Sequence, residues 1–301
     1  LIDLALLQQG DTVLLPENVY GPSRELTEKF LGAWGIGHAL YDPLCSAADL
    51  AALITPRTRL LWLEAPGSVT MEMPDLRGLV AAARAHGVTT AIDATWAAGI
   101  ALRPFDLGID VVMQALTKYQ SGGADVLMGS VTTRDAALHE RLLLAHMRLG
   151  LGVGGDDAAR VLRGLHTLEL RYHAHDRAAR RIATWLQSQP QVAQVLHPAL
   201  PGSPGHAVWK AECSAAAGLF SVVFDPRYTP EQVDGFVDAL RLFKIGYSWG
   251  GPVSLAVPYD VSAMRPRGRW PHPGALVRLA IGLEDADDLI ADLQQALATL
   301  G

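Results

Sequence analysis

The chain has 301 residues, of which 50% are hydrophobic and 19% charged, with a formal net charge of −6 and two cysteines. That content fills a sizeable core, and at about 150 residues per domain the length points to two domains. A negative balance without a Lys/Arg run excludes a nucleic-acid or anionic-membrane surface, both of which need clustered positive charge.

From the amino end, residues 1–9 carry neither the basic start nor the cleavage site of a signal peptide. No apolar run reaches the ~18 residues of a membrane helix, so no membrane partner is expected. A strand is predicted over 12–15 and a helix over 23–33, followed by a helix over 47–54 and a strand over 59–64. The helix over 75–86 begins after Pro74 with an acidic residue at its positive end and stops at Gly87. Strands over 88–93, 111–115 and 126–132 follow, then a helix over 134–149. Short apolar runs alternating with helical stretches are the pattern of a mostly parallel sheet covered by helices.

Beyond residue 165 the texture changes. A long Arg- and His-bearing helix over 169–187 leads to the Pro/Gly-rich HPALPGSPGH, strands over 218–225 and 276–282, and an acidic-fronted helix over 284–300. The expectation is a large α/β domain over 1–165 and a smaller α+β domain over 166–301. Cys45 and Cys213 show no CxxC or CxxH spacing, which suits reduced thiols in the cytoplasm.

Two motifs have plain explanations. GLGVGG, at 150–155, satisfies G-x-G-x-x-G, but a nucleotide fingerprint follows a strand and opens a helix, whereas here a helix comes first. An inter-helix loop is the better reading, and an NAD enzyme is disfavoured. His166, His173 and His175 lack a completing carboxylate or cysteine at ligand spacing, so solvated helix-face histidines are expected and no metal site.

The chemistry concentrates elsewhere. Of 25 basic residues only four are lysines: Lys29, Lys118, Lys210 and Lys244. The strand over 88–93 ends in Asp93, and the strand over 111–115 runs into Thr117-Lys118-Tyr119. In open α/β sheets the carboxyl ends of strands line the ligand crevice. Taken alone, Asp93 reads as a turn cap and Lys118 as one half of a surface salt bridge. Together they fit a pyridoxal phosphate site. A desolvated lysine has a free amine for a Schiff base, and a carboxylate can keep a pyridine nitrogen protonated.

These residues sit within longer segments: LEAPGSVTMEM (63–73), IDATWAAG (92–99), GIDVVMQALTKY (108–119), HPALPGSPGHAVWK (197–210), GLFSVVF (218–224), YSWGGPVSL (247–255) and VRLAIGLEDADDLIADL (277–293). On them the whole chain resembles the Cys/Met-metabolism family of pyridoxal-phosphate enzymes, and on PGSVTMEM and YSWGG its cystathionine β-lyase branch. The resemblance implies a type I, aspartate aminotransferase-like fold and pyridoxal 5'-phosphate as cofactor. It implies a small sulfur amino acid as substrate: L-cystathionine would undergo α,β-elimination to homocysteine, pyruvate and ammonia, a step of methionine biosynthesis. Cystathionine or methionine γ-lyases and cysteine desulfhydrases share the cofactor and most residues, and remain the alternative within the family.

By the same resemblance, Lys118 would hold the cofactor and shuttle a proton from Cα toward the leaving sulfur, and Asp93 would pair with the pyridinium nitrogen. Thr117 would help hold the phosphate, with Thr95 a polar neighbour of the cofactor. Tyr20 matches the tyrosine that stacks on the ring and can assist proton transfer, its plain alternative being an aromatic at a turn before a helix. Arg278, in an apolar strand where a charge needs a partner, would capture the substrate carboxylate, with Ser248 and Trp249 lining that end; Trp249 also reads as a core residue. The family pattern has Gly-His where this chain has Gly122-Gly123, and Asn where it has Ala94. Either change could alter cofactor contacts or substrate preference. The family also has an amino-terminal segment, with a Gly-Met pair and a Tyr-x-Arg element, ahead of the point where this chain enters at Leu1. A homotetramer is expected with that segment, and a non-catalytic fragment is the alternative without it.

Overall fold

The computed structural model describes residues 1–265 and 270–300. Its first sheet comprises β1 (Thr12–Pro16), β2 (Gly37–Tyr41), β3 (Thr58–Glu64), β4 (Thr89–Asp93), β5 (Val111–Ala115) and β6 (Gly129–Thr133), in the order β2-β1-β3-β4-β5-β6. Neighbours run parallel except β5 with β6. Strands buried on both faces read as continuous apolar runs. Leu14, Leu61, Leu63, Ile92 and Val112 enter the core on one face, and Val13, Leu15, Leu60, Ala91 and Val111 the core on the other.

The helix Leu76–Ala85 covers the first face with Leu76, Leu79, Val80 and Ala83, a helical stripe, and Asp75 caps it by accepting from the Gly78 amide. The helix Ala47–Leu53 starts on a Ser46/Asp49 capping box. Ile2–Leu6 and Ala136–Leu149 pack on the opposite face, through Ile2, Leu6 and Leu142.

The second sheet comprises β7 (Val192–Leu196), β8 (Leu219–Phe224), β9 (Lys244–Ile245), β10 (Leu255–Tyr259) and β11 (Leu276–Ala280), ordered β7-β8-β11-β10-β9. It is antiparallel apart from β9 with β10. Helices Leu168–Leu186, Pro230–Asp238 and Ala286–Leu297 cover one face, burying Ile182, Phe236 and Leu293 against Phe220, Val222 and Leu279. Leu219, Val223, Leu276 and Ala280 face the other way and join the core of the first sheet.

Several elements differ from expectation. β2, β7, β9 and β10 are strands the apolar pattern did not single out. β2, β7 and β9 lie at sheet edges, where half-exposed residues blur the period, and β10 carries Pro258. β6 begins at Gly129, later than predicted, because the stretch before it is a loop with Leu127 almost fully exposed. The predicted helix over 23–33 starts at Gly21 and widens into a π-helix over Leu26–Leu31. An additional helix, Gly155–Leu165, is not among those predicted; it buries Val161 and leaves Leu162 and Leu165 exposed.

A buried ion cluster ties the later chain to the first sheet. Arg265 lies with Nη1 2.6 Å from Glu72 Oε2, Nε 3.4 Å from Glu17 Oε2 and Nη2 3.9 Å from Asp42 Oδ1. Glu72 Oε2 also accepts from Asn18 Nδ2 and Thr70 Oγ1. Among the described residues no helix is long and apolar enough to cross a membrane.

Candidate active site

Four adjacent parallel strands deliver their carboxyl ends to one edge of the first sheet. Tyr20 follows β1, Glu64 ends β3, Asp93 ends β4 and Lys118 lies three residues beyond β5. Glu64 and Asp93 are register partners across the β3–β4 pair. The Lys118 amide donates to the Ala115 carbonyl at 3.1 Å, so the lysine sits in the turn that leaves the strand. A cleft of about 220 Å³ opens over this edge, and Tyr20, Glu64, Asp93, Lys118, Trp249 and Arg278 contribute to its walls. This is the crevice position expected of an open α/β sheet.

Electrostatics distinguish the charged groups. Burial lowers the Lys118 amine from its ordinary value, with Arg278 adding to the effect and Asp93 opposing it. Its Nζ is 3.0 Å from Ser248 Oγ and 5.3 Å from the centre of the Trp249 ring. Burial raises the Asp93 carboxyl, while hydrogen bonds from Thr95 and the charge of Lys118 pull it back down. Glu64 is pushed up to about 8 by burial and then by Asp93. Burial thus raises both carboxyls of the pair, and the charge of Lys118 opposes that rise at Asp93.

The predicted site residues come together here. Thr95 orients Asp93: its amide donates to Asp93 Oδ1 at 2.9 Å, and its hydroxyl oxygen accepts from the Ala115 amide at 2.9 Å. Thr117 lines the cleft, with its hydroxyl engaged by the Met128 amide at 3.1 Å and the Met128 carbonyl at 3.3 Å. Arg278, on β11 of the second sheet, is buried, donates to the Tyr247 carbonyl at 2.5 Å and stacks 5.1 Å over the Tyr259 ring. Trp249 serves both readings, lining the cleft and packing against Tyr119 at 5.6 Å. Ser248 reaches the site through Lys118. Tyr20 stands at the rim, 51% exposed.

The loop after β3 forms another wall through Pro66, Gly67, Ser68, Val69 and Met71. Val69 (φ 65°) and Met71 (φ 56°) hold left-handed backbone, costly for residues with side chains and tolerated where surroundings over-determine it. Here the Ser221 hydroxyl donates to the Val69 carbonyl at 2.6 Å, and the Ser68 amide donates to the Asn18 carbonyl at 3.0 Å.

Glu64 is the site residue that sequence reasoning missed. The signal was present, since the strand predicted over 59–64 ends on an acid just as the one over 88–93 does. The histidines need a correction: His175 is fully buried, with Nδ1 donating to the Ile281 carbonyl at 2.7 Å, whereas a solvated position was expected. Tyr172, His175, Asp176 and Ala179 form the core-facing stripe of their helix, so helical spacing carries one histidine inward. GLGVGG lies between Ala136–Leu149 and Gly155–Leu165, as an inter-helix loop should. Among the described residues no group of three or more His, Cys, Asp or Glu is placed to hold a metal.

The sequence profile of the Cys/Met metabolism PLP-dependent enzyme family matches residues 2–298. The cystathionine beta-lyase MetC of Escherichia coli (strain K12) is 41% identical over 302 aligned residues, covering 99% of this chain and 76% of the relative. The cystathionine beta-lyase of Bordetella avium is 41% identical over 298, covering 99% and 74%. A solved cystathionine gamma synthase from Xanthomonas oryzae pv. oryzae, in complex with aminoacrylate and cysteine, superposes with a TM-score of 0.91 at 33% identity, covering 99% of this chain and 78% of that one.

Proposed function

The chain belongs to the Cys/Met metabolism PLP-dependent enzyme family, and we propose that its reaction within that family is the α,β-elimination of L-cystathionine to homocysteine, pyruvate and ammonia. Its fold is the type I pyridoxal-phosphate fold, and its cofactor is pyridoxal phosphate. The observation that carries the β-elimination reading is the position of the PGSVTMEM segment. That segment, on which the chain resembles the β-lyase branch, contributes Pro66, Gly67, Ser68, Val69 and Met71 to the wall of the cleft that Lys118 also lines.

The residues fit the cofactor. A primary amine made less basic by burial, a carboxyl group behind it, an aromatic ring at the rim and a guanidinium deep in the cleft match an aldehyde, a pyridine nitrogen, a ring face and a substrate carboxylate. When bound, pyridoxal phosphate supplies the electron sink for the substrate's Cα carbanion. Lys118 would hold the cofactor through its amine, and that amine is placed to take the proton from Cα and to deliver it toward the sulfur leaving Cβ. Ser248 Oγ holds that amine in place between those duties. Asp93, oriented by Thr95, would present its charge to the ring nitrogen, and Tyr20 would lie against the ring face. Thr117 would contribute to the phosphate end. Arg278 captures the substrate carboxylate, with Trp249 closing that side.

The reading takes the working enzyme as a cytoplasmic homotetramer in methionine biosynthesis. Its support for assembly is the exposure of large apolar side chains, Leu170, Met147 and Leu162 at 74%, 67% and 62%, on three consecutive helices. A second reading, elimination or replacement at Cγ, is favoured by the likeness to the Xanthomonas gamma synthase. Incubation with L-cystathionine decides between them: pyruvate marks β-elimination, and 2-oxobutyrate without pyruvate overturns it. Borohydride reduction with pyridoxal phosphate should label Lys118; a label on Lys29, Lys210 or Lys244 instead refutes the site.

A further inference from the structure

We propose that Glu64 is a positioning residue of this site: its carboxyl group pins the Tyr20 backbone and thereby sets the Tyr20 ring over the cleft. The inference rests on the reading of Tyr20 as the residue that lies against the cofactor ring. Glu64 closes β3 beside Asp93 and uses its two oxygens on two different loops. Oε2 accepts from the Tyr20 amide at 2.8 Å, and Oε1 bonds the Ser68 hydroxyl at 2.6 Å. The first bond reaches the segment after β1, and the second holds the loop after β3.

Tyr20 has reason to depend on such an anchor. Its ring is half exposed, and core packing on that side cannot hold it. It is also the residue from which the short helix Gly21–Glu25 hangs, its carbonyl accepting from the Ser23 and Arg24 amides. A shift at the Tyr20 amide therefore carries both ring and helix with it. Placing a second carboxyl group beside Asp93 in a buried position costs free energy, and the bonds to Tyr20 and Ser68 are what offset it. Glu64 acts through Tyr20, without needing to touch a reacting atom.

A double-mutant cycle on the chain loaded with pyridoxal phosphate tests this. Glu64→Ala and Glu64→Leu, the latter close in volume and lacking an acceptor, are each combined with Tyr20→Ala. Glu64→Gln serves as the rescue variant, since its carbonyl can still accept from the Tyr20 amide while its amide donates to Ser68. Turnover of L-cystathionine and induced circular dichroism of the cofactor's visible band are read, with thermal unfolding reporting the fold. Expected is a loss of about tenfold in kcat for Glu64→Ala or Glu64→Leu, with a weakened dichroic band, against about threefold or less for Glu64→Gln. In the Tyr20→Ala background the same substitutions should cost no more than about twofold further. Equal losses in both backgrounds, or an unchanged dichroic band in the Ala and Leu variants, overturn the proposal while Lys118 labelling by borohydride stays intact. Absence of that labelling in the parent chain removes the site reading and this inference together.

Discussion

Replacing Arg265 by methionine keeps the volume of a long, fully buried side chain and removes its charge. Glu17 and Glu72, both buried, then lose a cation at 3.4 and 2.6 Å. Breaking a buried ion pair from one side costs about 4 kcal/mol, mostly the penalty of carboxylates left without their counter-charge. At roughly 2.1 cal/mol/K per residue, the unfolding entropy of a chain this long is about 0.6 kcal/mol/K, so Tm should fall by about 6 °C. The pH dependence sharpens the test. Burial already raises the Glu72 carboxyl above its ordinary 4.5, and Arg265 opposes that rise. Without Arg265 the folded-state value climbs further. A carboxyl raised in the folded state contributes stability below its unfolded value that is lost as pH rises through the folded one. The deficit of the variant should therefore be largest in the neutral to alkaline range and narrow toward pH ~5. Thermal unfolding by circular dichroism, compared with the parent at each pH, measures it. A Tm change below about 1 °C, or a deficit that does not vary with pH, would refute the assignment of an ion cluster that matters to folding.

If Asp93 pairs with the ring nitrogen as proposed, Asp93→Asn should lower kcat for pyruvate formation about a hundredfold or more; steady-state kinetics with saturating cofactor check this. Glu64, held near 8 in the folded chain against an ordinary 4.5, contributes stability that is present below 4.5 and lost as pH rises through about 8. Glu64→Gln should flatten the decline of Tm between about pH 4.5 and 8, and a decline as steep as the parent's would contradict the assignment. Gly205 has φ +78°, and a Cβ there would lie 2.1 Å from the Met73 carbonyl oxygen. Gly205→Ala should destabilise the chain by about 2 kcal/mol or more, readable as a lower urea midpoint.

How much was legible follows from which interactions are local. The central strands could be read because residues buried on both faces form short unbroken apolar runs, as VLL at 13–15 and LLWL at 60–63 do. β2, β7 and β9 could not, because an edge strand exposes part of its length and mixes its period. His175 was misplaced for a related reason. On a 19-residue helix the inward stripe is set by what packs against it, and Tyr119 and the Ile281 carbonyl are distant in sequence.

By itself, the amino-acid sequence determined the layered α/β architecture, the family and the two residues at strand ends, Asp93 and Lys118. Parallel strands bring their carboxyl ends to one edge whatever surrounds them, so position along the chain suffices. Only the tertiary structure decided that Glu64 stands beside Asp93, that Arg278 from the second sheet enters the same cleft, and that burial raises both carboxyls. Those outcomes depend on desolvation and on charges acting through space between segments far apart in the chain.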